Sequence, residues 1–125
     1  LRVGQGADAI AVVMMHLALG TRVRNLQLAY IRELLQDYRH YVLMGDLNTQ
    51  ADELLYRSPL RSLNLQAPQL AATFPSWKPQ RCLDHILLSD NLQIAHSSVL
   101  DLPLSDHLPV ATELILPSTL NPYRA

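Results

Sequence analysis

Residues 41–48 read YVLMGDLN, an apolar run followed by a glycine and two polar residues. The run at 41–44 is typical of a buried strand, which we expect to end in a turn at Gly45. Upstream, the continuous apolar run at 10–17 is typical of a strand covered on both faces. Between the two runs, apolar residues recur at helical spacing from 23 to 38. A strand, a helix and a second strand predict an α/β unit.

The helix of this unit follows Gly20, and we expect Thr21 to act as its N-cap. Its apolar positions are expected to face the core, and they are Leu28, Ile31, Leu35 and Tyr38.

Downstream of the unit, the pattern predicts a helical turn near 52–56 and then a loop punctuated by prolines. Three strand-like runs follow at 82–89 (CLDHILLS), 92–100 (LQIAHSSVL) and 109–116 (PVATELIL). Asp90 and Asn91 are typical turn residues between the first two runs.

Composition limits the possible functions. The chain has 125 residues, which is at most one domain, and with 49% hydrophobic and 17% charged residues it is not disordered by composition. A net charge of −1 provides no basic field for nonspecific nucleic-acid binding. A single cysteine, Cys82, excludes an intrachain disulfide and a thiolate zinc site, which favours a reducing, cytoplasmic location.

The apolar stretch at 9–19 is too short to span a bilayer, which needs about 20 residues. It also lacks the basic start and the cleavage site of a signal peptide. Because the chain begins at Leu1 rather than at methionine, we expect an N-terminal portion to be missing.

Polar residues lie in or at the ends of the strand-like runs, where ligands commonly bind in α/β proteins. They are His16, Asp46, Asn48, Asp84, Asp106 and His107. Asp84, inside an apolar run, needs a partner because an unpaired buried charge costs several kcal/mol. A histidine is the obvious partner. Taken singly, GDLN is equally compatible with a plain turn, and a lone histidine in an apolar run such as His16 is more often a hydrogen-bonded core histidine.

Four motifs in this order, MMHLAL, MGDLNTQ, CLDHILLS and LSDHLPV, resemble the C-terminal motifs of the endonuclease/exonuclease/phosphatase superfamily of metal-dependent phosphoesterases. The resemblance extends from about Ile10 to Leu116. The loop ATFPSWKPQRCLDHI further resembles bacterial members with no settled substrate. The resemblance implies an α/β (α+β) fold, with residues 1–125 forming a partial domain. That domain would be the C-terminal half of a four-layer α/β/β/α sandwich with mixed sheets flanked by helices.

The resemblance also implies a role for each polar residue. Asp46 would orient or deprotonate the attacking water, and Asn48 would hold that water or the phosphoryl oxygens. His107, paired with Asp84, would place a proton or positive charge against the phosphoryl group. His16 would donate a hydrogen bond to a phosphate oxygen, and Asp106 would be a metal ligand or orient metal-bound water.

The expected cofactor is Mg²⁺ or Mn²⁺, because the ligands would be oxygen atoms. The expected partners are a phosphoester substrate and the missing N-terminal half of the domain. Nucleic acid, phospholipid and sugar or inositol phosphate all remain open as substrates. That half supplies an Asn and a metal-binding Glu in the family, so we expect this chain alone to bind metal poorly and to have little activity. Met14 and Met15 also replace the polar pair that usually precedes His16.

A noncatalytic binding module or pseudoenzyme of the same fold stays open. A serine hydrolase built on Ser105, Asp106 and His107 is rejected, because adjacent residues cannot form a relay and the chain has no GxSxG motif.

The remaining aromatic, cationic and histidine residues are expected to have structural or surface roles. We expect Phe74 and Trp77 to anchor their loop on the sheet and Lys78 and Arg81 to be solvated. The other histidines are His40, His85 and His96, and strand alternation should turn His85 away from Asp84.

Overall fold

A computed structural model describes residues 1–120. Within this range five strands form one sheet, in the order β1-β2-β3-β5-β4, and two strands form a second sheet, β6-β7. The elements are β1 (Arg2–Val3), β2 (Ile10–His16), α1 (Thr21–Leu34), β3 (His40–Asp46), β4 (Leu65–Gln66), β5 (Asp84–Ser89), β6 (Gln93–Val99) and β7 (Val110–Ile115). The predicted mixed α/β fold is therefore confirmed.

The centre of the larger sheet is the strand, helix and strand predicted from the sequence. β2 and β3 are parallel and joined by α1, whereas β3 and β5 are antiparallel. The sheet is therefore mixed. β3 continues through Gly45 to Asp46, so the turn expected at Gly45 is wrong by one to two residues.

The helix differs from the prediction at both ends. The N-cap is Gly20 in an extended conformation, and Thr21 is the first helical residue, so the prediction of Thr21 as the cap is wrong. The guanidinium of Arg24 donates to the carbonyls of Ala18 and Leu19, which ties the helix start to the preceding turn without a side-chain cap. The helix ends at Leu34 rather than at residue 38.

Alternation along the strands creates two apolar clusters, one on each face of the sheet. The cluster under α1 includes Leu28, Leu43 and Leu87, each 0% exposed. The cluster on the opposite face is smaller, and the β6-β7 hairpin covers it only at one end of the strands. At the other end Met14 is 80% exposed. β2 is therefore covered on both faces only over its first part, contrary to the expectation.

The connection from β3 to β5 contains short helical segments and a two-residue edge strand. A π-helical turn spans Glu53–Arg57, close to the expected position, and a 3₁₀ helix spans Pro59–Leu63. Among residues 1–120, no helix has the length and apolar character needed to cross a membrane.

Candidate active site

Three of the polar strand-end residues lie side by side at one rim of the larger sheet. In the parallel register of β2 and β3, His16 is opposite Asp46. In the antiparallel register of β3 and β5, Asp46 is opposite Asp84. On its own strand, each of the three is an even number of residues away from a member of the smaller apolar cluster. Because side chains alternate along a strand, all three side chains lie on the face away from α1.

Gly45 allows β3 to approach β2 closely just before Asp46. Its φ is +134°, a conformation that favours glycine. A Cβ at this position would lie 1.9 Å from the backbone carbonyl oxygen of Met15. The glycine therefore fixes the backbone that carries Asp46.

His107 joins the rim from the segment before β7. Its Nδ1 lies 2.6 Å from Asp84 Oδ2, and its Nε2 lies 3.7 Å from Asp46 Oδ2. The imidazole packs against the ring of Phe74, with 4.7 Å between the ring centroids. One nitrogen is therefore held by a carboxylate while the other faces the centre of the site.

The surroundings of His107 favour its protonated form. Burial by itself disfavours the imidazolium, but the hydrogen bond to Asp84 and the charges of Asp84, Asp46 and Asp106 outweigh it. The pKa of His107 is therefore raised above its ordinary value. A charged imidazolium donates from both nitrogens, so Nε2 can offer a proton or positive charge to an anionic ligand.

His16 and Asn48 both lie next to Asp46. His16 Nε2 is 3.5 Å from Asp46 Oδ2, and its side chain is 76% exposed, so His16 is not a core histidine. Asn48 has a φ of +51°. Its backbone N–H donates to Asp46 Oδ1 over 3.0 Å, and its side-chain Nδ2 donates to the Leu17 carbonyl over 2.6 Å. These bonds hold the turn after β3 and orient the Asp46 carboxylate.

The structure does not bring the Asp106 carboxylate into this group. Asp106 is exposed, and its carboxylate accepts a hydrogen bond from the Ser105 hydroxyl over 3.3 Å. Its backbone carbonyl accepts the Ser76 N–H over 2.8 Å. Asp106 nevertheless lies close enough for its charge to act on His107.

A possible acidic metal site consists of Asp46, Asp84 and His107, whose candidate ligand atoms lie within 4.8 Å of one another. Within this group Asp84 Oδ2 and His107 Nδ1 are already hydrogen-bonded to each other. Magnesium is commonly held by one or two carboxylates, with water and substrate phosphate completing the shell. The carboxylates at this rim fit such an incomplete ligand set.

A shallow groove of about 230 Å³ runs from the rim along the uncovered face of the sheet. Asp46 and Asp84 form its polar end. The rest of the groove is largely apolar and includes Met14, Met44 and Ile86. A ligand at the rim therefore has an apolar surface beside it.

Sequence reasoning missed the role of Thr73 and placed Phe74 on the sheet rather than on His107. Thr73 is 0% exposed and donates from its hydroxyl to Asp84 Oδ2 over 2.5 Å. A threonine and an aromatic residue between two prolines, just before the CLDHI strand, were the signal that could have drawn attention to them.

Trp77 is 75% exposed, so the expectation that it anchors the loop is wrong. It lies in the tight loop between Phe74 and Arg81, two residues that form an antiparallel β-bridge.

The sequence profile of the Endonuclease/Exonuclease/phosphatase family matches residues 11–107. This range contains His16, Asp46, Asp84 and His107. No curated protein sequence matched this chain.

Solved structures with the same fold include proteins of several kinds. One is a functionally unknown conserved protein from Enterococcus faecalis V583, with a TM-score of 0.70, 23% identity, and coverage of 87% of this chain and 51% of that chain. A mannosyl-6-phosphatase from Bacteroides thetaiotaomicron VPI-5482 has a TM-score of 0.62 and 21% identity, covering 86% and 51%. The human nocturnin catalytic domain with bound sulfate has a TM-score of 0.59 and 20% identity, covering 87% and 47%. The chain thus spans about half the length of these structures.

Proposed function

Because the chain belongs to the endonuclease/exonuclease/phosphatase family, we propose that it forms the C-terminal catalytic half of a metal-dependent phosphoesterase. The family is generally hydrolytic and metal-dependent, and two of its fold neighbours are a phosphatase and nocturnin. The observation that carries the proposal is the position of His107. Its Nδ1 is bonded to Asp84, and its Nε2 faces Asp46 at the same sheet rim.

The proposed reaction is the attack of water on a phosphoester. Asp46 orients this water or takes its proton, and its carboxylate is held for this purpose by the Asn48 backbone N–H. The Nε2 proton of His107 stabilises charge on the phosphoryl group or passes to the leaving oxygen. Its raised pKa supports this role, because it keeps the imidazole protonated nearer neutral pH.

His16 and Asn48 complete the proposed phosphate site. The exposed His16 ring is available to donate a hydrogen bond to a phosphate oxygen. Asn48 lies two residues beyond Asp46 on the same turn, where it helps hold the water or the phosphoryl oxygens. Asp84 does not contact the substrate in this scheme but fixes the ring of His107.

The proposed cation is Mg²⁺ or Mn²⁺, held by the Asp46 carboxylate at the rim. The expected ligand Asp106 would have to turn its exposed carboxylate from Ser105 toward the rim to join it. Such a cation supplies positive charge that stabilises the phosphoryl oxygens in the transition state. Oxygen ligands suit these two ions better than zinc.

We further propose that the domain is completed by a second half that packs on the uncovered face of the larger sheet. The support is the partly exposed apolar surface there, including Met14, and the coverage of about half of each fold neighbour. In this proposal the chain alone turns over little substrate. A binding module without activity is the competing outcome.

The experiment measures hydrolysis by the natural full-length protein that contains this chain. The substrates are abasic DNA, plain DNA, a phospholipid, a sugar phosphate and bis-p-nitrophenyl phosphate, each assayed with Mg²⁺ or with EDTA. We expect turnover only with metal, and a loss of about 100-fold or more in Asp46→Asn. Asp37→Asn, in the exposed turn after α1, is the matched control and should keep wild-type activity. Metal-independent turnover, unchanged activity in Asp46→Asn or no turnover of any substrate would reject the phosphoesterase proposal.

A further inference from the structure

Thr73 is a fully buried residue of the loop before β5, and it shares a hydrogen-bond acceptor with the site histidine. Its side-chain Oγ1 lies 2.5 Å from Asp84 Oδ2. His107 Nδ1 lies 2.6 Å from the same oxygen atom. Two donors from different loops therefore converge on one carboxylate oxygen.

The backbone of Thr73 is fixed in place on both sides. Its N–H donates to the Arg81 carbonyl over 2.9 Å, and its carbonyl accepts the Leu108 N–H over 2.8 Å. Thr73 thus joins its own loop to the segments that carry Asp84 and His107. The hydroxyl position is consequently determined by the same contacts that bring the histidine to the rim.

The single hydroxyl proton of Thr73 has two possible acceptors nearby. The Arg81 carbonyl lies 3.5 Å away, whereas the Asp84 carboxylate is much closer and is charged. Hydrogen bonds to ionised acceptors are shorter and stronger than those between neutral groups, so the proton is committed to Asp84. With two donors on Oδ2, rotation of the carboxylate would break both bonds together.

We propose that Thr73 is a positioning residue that locks the Asp84 carboxylate, and through it the Nδ1–H hydrogen bond and the orientation of the His107 ring. Nε2 is thereby directed to the centre of the rim. The effect on turnover rests on the proposed function, but the effect on the ring does not.

The first measurement is NMR of the imidazole N–H protons in the natural full-length protein that contains this chain, and it needs no activity. The Nδ1–H signal of His107, identified by its loss in His107→Gln, should lie downfield in the wild type and in Thr73→Ser. It should move upfield or exchange away in Thr73→Val, which keeps the side-chain shape but lacks the hydroxyl. Thr112→Val, which removes a hydroxyl bonded to Ser97 in the β6-β7 hairpin, is the control. If the valine variant does not fold, Thr73→Cys provides a weak donor of similar size for the same comparison.

The second measurement is steady-state hydrolysis by the natural full-length protein. Thr73→Val should lower kcat about 10-fold with KM within twofold of wild type, and Thr73→Ser should restore kcat. An unchanged Nδ1–H signal in Thr73→Val, or a serine variant as impaired as the valine variant, would overturn the inference. A changed signal in a protein without turnover would instead reject the phosphoesterase and leave the positioning role standing.

Discussion

Two histidine–carboxylate pairs lie at opposite rims of the same sheet. They differ in whether the second ring nitrogen of the histidine is within hydrogen-bond distance of an acceptor. At one rim His107 is bonded to Asp84 near the end of β3. At the other, His40 begins β3 and lies 3.3 Å from Asp8. The residue types are the same, so the difference between the rims comes from the surroundings.

Around His40 both ring nitrogens are engaged. Nδ1 is 3.0 Å from Asn91 Oδ1 and Nε2 is 3.3 Å from Asp8 Oδ1, in a residue only 6% exposed. Asp8 also accepts from Thr119, and this bond, followed by that of His40, lowers the pKa of Asp8. His107, in contrast, has an Nε2 that is 3.7 Å from Asp46, beyond hydrogen-bond distance. The comparison teaches that a satisfied pair stabilises the fold, whereas a pair with one free nitrogen is suited to chemistry.

The strongest test of this comparison is to remove the free nitrogen. His107→Gln in the full-length protein should lower kcat by about 10²–10⁴-fold, since glutamine cannot act as an acid. Its free energy of unfolding should change by less than about 1 kcal/mol, because the glutamine amide can still donate a hydrogen bond to Asp84, which also keeps the Thr73 hydroxyl. Initial rates and urea denaturation measure the two quantities. A large loss of stability with unchanged kcat would show that His107 stabilises the fold and does not take part in catalysis.

The opposite rim should show the reverse pattern. His40→Ala leaves Asn91 without one hydrogen-bond partner and opens a cavity, so we expect unfolding to require about 1–3 kcal/mol less free energy. Activity per folded molecule should be unchanged. His96→Ala, at an exposed position of β6, is the control for loss of a histidine and should stay within about 0.5 kcal/mol of wild type. Loss of activity without loss of stability in His40→Ala would contradict the comparison.

A third histidine, His85, extends the comparison to the pH dependence of stability. His85 is 2% exposed and faces the α1 side, away from Asp84 as expected, where its Nε2–H donates to the Thr49 carbonyl over 2.8 Å. Burial lowers the pKa of His85, although the bond to Thr49 and nearby carboxylates partly oppose this.

Because the unfolded chain binds a proton at His85 more readily, stability from this residue is complete above about pH 6.5 and falls below it. From pH 7.5 to 5.5, the change in the free energy of unfolding should therefore be less unfavourable in His85→Gln than in the wild type. Denaturant melts at both pH values measure this difference. His96→Gln should keep the wild-type pH dependence, and an equal slope in His85→Gln would reject the prediction.

Local pattern was sufficient to predict the central strands, and the resemblance of four motifs indicated the family. Period and run length located β2, β3, β5, β6 and β7 to within two residues at their ends, and the family and mixed α/β fold are confirmed. The helix ends were less predictable, because Arg24 replaces a side-chain cap by a bond to a preceding turn. Two-residue edge strands such as β4 carry too few residues to produce a pattern.

The site could be predicted where its residues lie on strands or directly beside them, as Asn48 and His107 do. His16, Asp46 and Asp84 follow from strand ends and alternation, and the roles assigned to them stay predictions. Thr73 and Phe74 act from a loop whose path depends on contacts with residues far along the chain, such as Leu108. Sequence spacing contains no information about such contacts. The same applies to Asp106, whose carboxylate direction is set by its loop.

The parallel register that places His16 opposite Asp46 also limits where residues can be inserted or deleted. Inserting or deleting one residue inside β2 or β3 would exchange the faces of the side chains beyond it and carry one of the two residues to the α1 side. The turn between α1 and β3 at 35–39 lies outside this pairing and can vary in length more freely. Length variants in a mutational library should therefore survive in that turn and be lost from the paired strands.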